Sequence, residues 1–310
     1  MTVLRAVAVR ILAAAATLVL ALGIVFGFVS AASGDLAAAA SGAEALSPEH
    51  RRALVAQLHL DLPPAERFVR WLSDAARGRL GVSFRDRRPV AEKISAAAGT
   101  SVAVNGAALV LMVLVSVPIG ALAAWRPGSP GDRLLSASTF ALHAVPVFGA
   151  AVILQACFAA RLGWFPLFGT GTAAHLVLPV ACLAYPGVAF LARFVRASLL
   201  EHATAEVARA ARARGRSSLG AVVRHGFRQA AVPMLTLAGM LLPRLVGGAV
   251  LVEATFGLPG IGTLFADALV ARDLPVVLGV TFVAGTATLA GIALADAAYA
   301  IADPRTRRAT

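Results

Sequence analysis

Apolar residues gather into six stretches along this chain: Val7–Val29, Ser101–Trp125, Leu134–Ala160, Leu176–Arg196, Val232–Phe256 and Pro275–Ile301. A helix needs about 20 apolar residues to cross a bilayer, and each stretch meets or nearly meets that length. Closely spaced segments alternating between apolar and polar residues are absent, which sets aside a β-barrel. The pattern predicts an all-α membrane protein with six transmembrane helices. The polar interval after the first stretch also has helical spacing. "SPEHRRALVAQL" opens with a Ser-Pro-Glu helix start, and "PAERFVRWLSDAAR" is a second amphipathic helix.

Composition agrees with the pattern. Of 310 residues, 59% are hydrophobic and only 14% charged, against roughly 25% in a soluble domain. The net charge is +12, and Lys93 is the only lysine among 28 basic residues. In a chain this apolar, such a balance points to basic cytoplasmic loops and not to nucleic acid. Arg5 and Arg10 precede the first stretch, Arg126 and Arg133 follow the second, and Arg305, Arg307 and Arg308 close the chain. The short loops on the opposite side carry only Arg161 and Arg272. This bias places both termini in the cytoplasm. Residues 30–100 hold many arginines yet fall outside, as a loop of more than about 60 residues translocates largely regardless of charge. The first stretch is longer than the apolar core of a signal peptide, so it reads as a retained anchor. The expected organisation is an N-terminal transmembrane helix over 1–30, an extracytoplasmic helical segment over 31–98, and a core of five transmembrane helices over 99–310 with a cytoplasmic loop at 200–232.

That loop contains the densest charge. "EVARAARARGRSSLGAVVRHGFRQAAVP", Glu206 to Pro233, has six arginines, one histidine and one acid. Ala208, Ala211 and Gly215 form a small-residue stripe at helical spacing, with Arg209, Arg212 and Arg216 on another face. Gly215 suits a helix C-terminal cap, and Ser217 or Ser218 the next N-cap. Leu219, Val222, Val223 and Phe227 then make an apolar face, with Arg224 and Arg228 off it. Pro233 suits the first turn of the following helix. A loop that only bound anionic lipid would gain about 1 kcal/mol per arginine and need none of this shape. Two short helices around a glycine stop suit a knob for a groove in a cytoplasmic partner.

The stretch resembles the cytoplasmic "EAA" loop of the membrane subunits of binding-protein-dependent ABC importers. The dipeptide/oligopeptide/nickel permease family, in its first-permease type, is the nearest likeness. The residues that carry it are Arg209, Ala210, Ala211, Arg212 and Gly215, then Arg224, His225, Arg228, Ala230 and Pro233. "GRLGVSFRDRRPVAEKI", "LVEATFGLPGIGTLFADALVARDLPVV" and "DAAYAIADPRTR" resemble further segments of that family, in order and nearly end to end. Two departures stand out: Arg216 follows the glycine where an apolar residue is usual, and "SGDL" replaces a Pro-Gly-Asp-Pro-like turn after the first stretch.

The resemblance implies a type I ABC importer permease. Its coupling loop, with Glu206, Arg209, Ala210, Ala211, Gly215, Arg216, Ser217, Arg224, His225, Arg228 and Pro233, would dock on an ATP-hydrolysing subunit. The implied partners are a second homologous permease forming a heterodimer, two ATPases, an extracytoplasmic solute-binding protein and the inner-membrane bilayer. ATP and Mg2+ would bind the ATPases. This chain has no GxxxxGK[ST] loop, and the reading gives it no cofactor, metal or enzymatic activity of its own. Peptides are the expected solute, with nickel or another small solute such as glutathione as the alternative. A stand-alone secondary transporter fits less well, since the stretches show no inverted repeat.

Three residues are pathway candidates: Arg244, His143 and Glu253. Arg244 follows Pro243 within the fifth stretch, where a charge costs at least roughly 2.5–3.5 kcal/mol. It either faces a water-filled path or pairs with Asp296 or Glu253. His143 lies beside Pro146 in "ALHAVPVF". The six histidines show no metal-ligand spacing, and Cys157 and Cys182 read as packing residues. "FGLPGIGTLFADAL" is expected to be a Gly/Pro turn leading into a short amphipathic helix outside the membrane, like a lid.

Overall fold

The structure, a computed structural model, describes residues 3–32, 62–202 and 249–302. Its elements are α1 (Val3–Ala32), α2 (Pro64–Ala75), α3 (Val90–Trp125), α4 (Pro130–Ala144), α5 (Val147–Leu154) continuing as a π-helix (Gln155–Arg161), α6 (Ala174–His202), α7 (Val250–Phe256), α8 (Ile261–Val270) and α9 (Leu274–Ala302). Among the described residues, extended backbone pairs only at a bridge between Val82 and Pro89. The helix predicted within residues 47–58 lies outside the described residues.

Four helices are long and apolar enough to span: α1, α3, α6 and α9. A fifth span is available if α7 and α8, bent by 91° at their junction, count as one broken crossing. The first, second, fourth and sixth predicted stretches therefore appear as helices. Most of the fifth, residues 232–248, lies outside the described residues.

The third stretch differs from the expectation. It is not continuous: α4 ends at Ala144, and α5 starts at Val147. Val145 is extended, with φ −87° and ψ 116°. Proline pushes the residue before it out of helical geometry and removes a donor. Yet Pro118, Pro179 and Pro186 sit inside unbroken helices. What distinguishes the break is its outside support. The Tyr185 hydroxyl donates to the Val145 carbonyl at 2.6 Å, and Cys182 Sγ donates to the Val147 carbonyl at 3.3 Å. Both come from α6, so the carbonyls are satisfied where lipid would leave them bare.

Helix α3 starts at Val90, earlier than the predicted Ser101, because Pro89 serves as its N-cap and helical periodicity begins at once. Its 36 residues rise about 54 Å, well beyond the roughly 30 Å hydrocarbon core. The polar residues Glu92, Lys93 and Ser95 mark the projecting end. There Val90 and Ile94 join Leu80, Phe84, Ile261 and Val277 in one buried cluster. Helix α2 closes this region against α1 and α9, with Phe68 on Phe26 at 5.4 Å and Trp71 edge-on to Phe282 at 6.2 Å.

Inside the bilayer, apolar burial no longer drives association, because lipid is as apolar as leucine; close packing takes over. The main pair is α3 with α6. Gly120 allows it: a Cβ there would collide with the Ala192 carbonyl oxygen and lie 2.7 Å from Val195 Cβ. Ser116 Oγ also donates to the Val188 carbonyl at 3.2 Å.

Candidate functional site

The structure brings three buried carboxylates into view, each at a junction between elements. Glu253 on α7 is 1% exposed. Its two oxygens accept from Ser101 Oγ at 2.7 Å and from the Thr263 N–H at 3.0 Å. Ser101 Oγ in turn accepts from the Ile261 N–H at 2.8 Å. Thr263 and Ile261 belong to the first turn of α8, whose N-cap is Gly260. A helix start leaves its first N–H groups without partners, and a side-chain oxygen normally supplies one. Gly260 has no side chain to do so. Glu253 reaches over from the preceding helix, and its carboxylate occupies the space a Cβ at Gly260 would fill. An anion is favoured there by the helix dipole. Gly257, at φ 62°, closes α7 in the left-handed conformation and turns the chain toward α8.

Asp273, 2% exposed, precedes α9. It accepts from Ser83 Oγ and, at 3.0 Å, from the Phe84 N–H. This fastens the 77–89 connection to the α8–α9 turn. Arg272 and Arg87 flank the contact in the left-handed region, φ 54° and 60°, which costs an L-residue about 1–2 kcal/mol. Lys93 Nζ lies 3.3 Å from Ser83 Oγ and 2.6 Å from Asp86. Partial burial pushes the Asp86 carboxyl up, but hydrogen bonds from Lys93 and Ser83 outweigh it. They bring the carboxyl from the ordinary 3.8 down to about 2.

Asp132, 4% exposed, is held differently. Arg196 of α6 meets it with both ends of its fork: Nε donates to Oδ1, and Nη2 donates to Oδ2 at 2.7 Å. Oδ2 also accepts from the Gly128 N–H at 2.8 Å. Ser129 is the N-cap of α4, its Oγ accepting from the Asp132 N–H at 3.3 Å, and Pro130 starts the first turn. The Arg196 hydrogen bonds and the Gly128 N–H hold the Asp132 carboxyl below its usual range.

Gln155, at the start of the π-helix, donates from Nε2 to the carbonyls of Leu167 and Thr255, both at 2.9 Å. It ties the 162–173 connection to α7. Among the described residues, no three His, Cys, Asp or Glu side chains gather as a metal site.

The sequence candidates fare unequally. The coupling loop, Glu206 through Pro233, and Arg244 lie outside the described residues; α6 leads up to them, ending at His202. His143 falls in the last turn of α4, next to the break at Val145. Glu253 is the candidate whose surroundings are seen, within the α7–α8 turn. Sequence reasoning missed Ser101, Asp273, Gln155 and the Asp132–Arg196 pair. One signal was readable: "SPGD", a serine followed three residues later by an acid with proline between, marks a helix start.

These features define a polytopic α-helical membrane protein whose helix junctions are stitched by buried polar groups. Residues 116–308 match the family described as binding-protein-dependent transport system inner membrane component. The chain is 36% identical over 296 residues to the probable peptide ABC transporter permease protein y4tP of Sinorhizobium fredii, covering 91% of this chain and 93% of that one. It is 32% identical over 271 residues to the oligopeptide transport system permease protein AppB of Bacillus subtilis, covering 84% and 86%. It is 34% identical over 269 residues to the glutathione transport system permease protein GsiC of Escherichia coli, covering 86% and 87%. The chain belongs to this family. It is a multi-pass inner-membrane permease subunit of a binding-protein-dependent ABC transporter with the type I permease fold, and it works with ATPase and solute-binding partners.

Proposed function

We propose that this chain forms half of the translocation pathway of an ATP-driven peptide importer. The observation that carries the reading is the 36% identity to a probable peptide permease over 91% of this chain. The other half would be a second, homologous permease. Two ATPases would supply the energy, with ATP and Mg2+ bound there, and the chain itself would be non-catalytic. Residues 200–232 would face the cytoplasm with both termini, and residues 31–98 would face the solute-binding protein. Arg209, Ala211 and Gly215 would dock on an ATPase, and Arg244, His143 and Glu253 remain the pathway candidates. Glutathione is a second reading, favoured by the 34% identity to a glutathione permease; it is itself a tripeptide.

Uptake by a strain deleted for this gene tests the proposal, with labelled di- and oligopeptides, glutathione and nickel offered separately. Loss of peptide uptake, restored by the intact gene, is the expected result. Loss of glutathione uptake alone moves the solute to the second reading. Loss of nickel uptake alone, or no loss, rejects peptide import. Replacing Gly215 with tryptophan tests the coupling loop: uptake should fall while the protein stays in the membrane.

A further inference from the structure

Chain continuity makes α6 the described helix that leads into residues 203–232, which the fifth apolar stretch follows. Arg196 stands six residues before His202, about 9 Å along the axis. Its partner Asp132 stands in the first turn of α4, next to the short connection from α3. Beside the pair, Ala123 of α3, Leu135 of α4 and Ala192 of α6 form a small buried cluster. One turn further in lies the Gly120 contact with Ala192 and Val195. Three elements therefore converge at the end of α6 from which the arginine-rich stretch departs.

The contact has the features of a fixed joint. The guanidinium fork engages both carboxylate oxygens, which sets direction as well as distance. The carboxylate is immobilised from its own side by the Gly128 N–H, and the Asp132 backbone by Ser129. Alanine and leucine contacts alone can slide over one another. A forked ion pair in a mostly buried position contributes little net stability compared with apolar packing, and its attested use is to fix register.

We infer that Asp132 and Arg196 are positioning residues for energy coupling: the pair transmits displacement of the 203–232 segment from α6 to α3 and α4. The inference rests on the reading of that segment as the ATPase dock. With the pair intact, a pull on α6 moves three elements together. Without it, α6 moves against the α3–α4 connection, and ATP turns over with less transport.

The test uses the complete transporter, with its partner permease, ATPases and solute-binding protein, in proteoliposomes. Labelled peptide transported and ATP hydrolysed are read in parallel. D132A and R196A should each lower transport per ATP by about tenfold. D132A/R196A should be no worse than the poorer single variant, and R196K, which keeps the charge but loses the fork, should fall between. Ratios within twofold of the parent for both single variants overturn the inference, as does a double variant equal to the product of the singles. If D132A does not assemble, D132N decides: it keeps an acceptor for the Gly128 N–H, so an unchanged ratio overturns the inference and a lowered ratio supports it. Gly215→Trp separates the two failures. If it uncouples while the Asp132 and Arg196 variants do not, only this inference falls. If it leaves coupling intact, the docking reading falls.

Discussion

The α7–α8 turn and the first turn of α4 both bury a carboxylate, yet they hold it by different means. Glu253 is held by a hydroxyl and a backbone N–H; Asp132 adds a guanidinium from another helix. The first arrangement finishes a helix that its own residues cannot cap. The second joins elements that already have their caps, so its content is relative position. A buried acid in a membrane protein is thus no single kind of feature. Its donors tell whether it completes local structure or registers one element against another.

The largest effect should come from Glu253→Ala. It leaves Ser101 Oγ and the Thr263 N–H short of a partner at a buried site, at 1–3 kcal/mol per orphaned group. A loss of about 3 kcal/mol or more, read as a lower unfolding midpoint in detergent, is expected; an unchanged midpoint breaks the comparison. Next comes Gly120→Val, which leaves both carboxylates untouched. Overpacking against Ala192 and Val195 should cost about 1–3 kcal/mol by the same measurement. Glu253→Gln sharpens the comparison. It keeps one acceptor but places an NH2 where a donor already points, so a loss of about 1 kcal/mol is expected. A loss as large as that of alanine would make the charge, and not the acceptors, the important property. The smallest effect belongs to Asp86→Asn, below about 1 kcal/mol, since that carboxylate is more than one-third exposed and screened by solvent. Its pH signature is directional. The folded carboxyl titrates at about 2, below its ordinary 3.8, so its contribution is present above about pH 4 and lost as pH falls toward 2. A pH titration of wild type against Asp86→Asn should show the two converge in that window.

The apolar stretches were legible because bilayer thickness dictates their length, and α1, α3, α6 and α9 lie where the pattern puts them. The break at Val145 was not. Pro118, Pro179 and Pro186 lie inside unbroken helices, and nothing in the local sequence says that the carbonyl before Pro146 receives a tyrosine hydroxyl from 40 residues away. Glu253 was legible as an acid near a membrane segment, and so as a partner for Arg244. Its partner Ser101 is 152 positions distant, and no periodicity connects them. Asp132 drew no reading from its neighbours in sequence; its meaning lies in Arg196, 64 positions on. Short-range grammar placed the helices, while the polar stitches between them depend on tertiary neighbours.

Helix α3 answers to two solvents. Its buried part packs in lipid through Gly120 and Ser116, whereas its projecting part is held by Leu80, Phe84 and Ile261 through the expulsion of water. Agents that weaken one force spare the other. Urea should fray α3 from Val90 inward, and a harsh short-chain detergent should loosen it from the Gly120 end first.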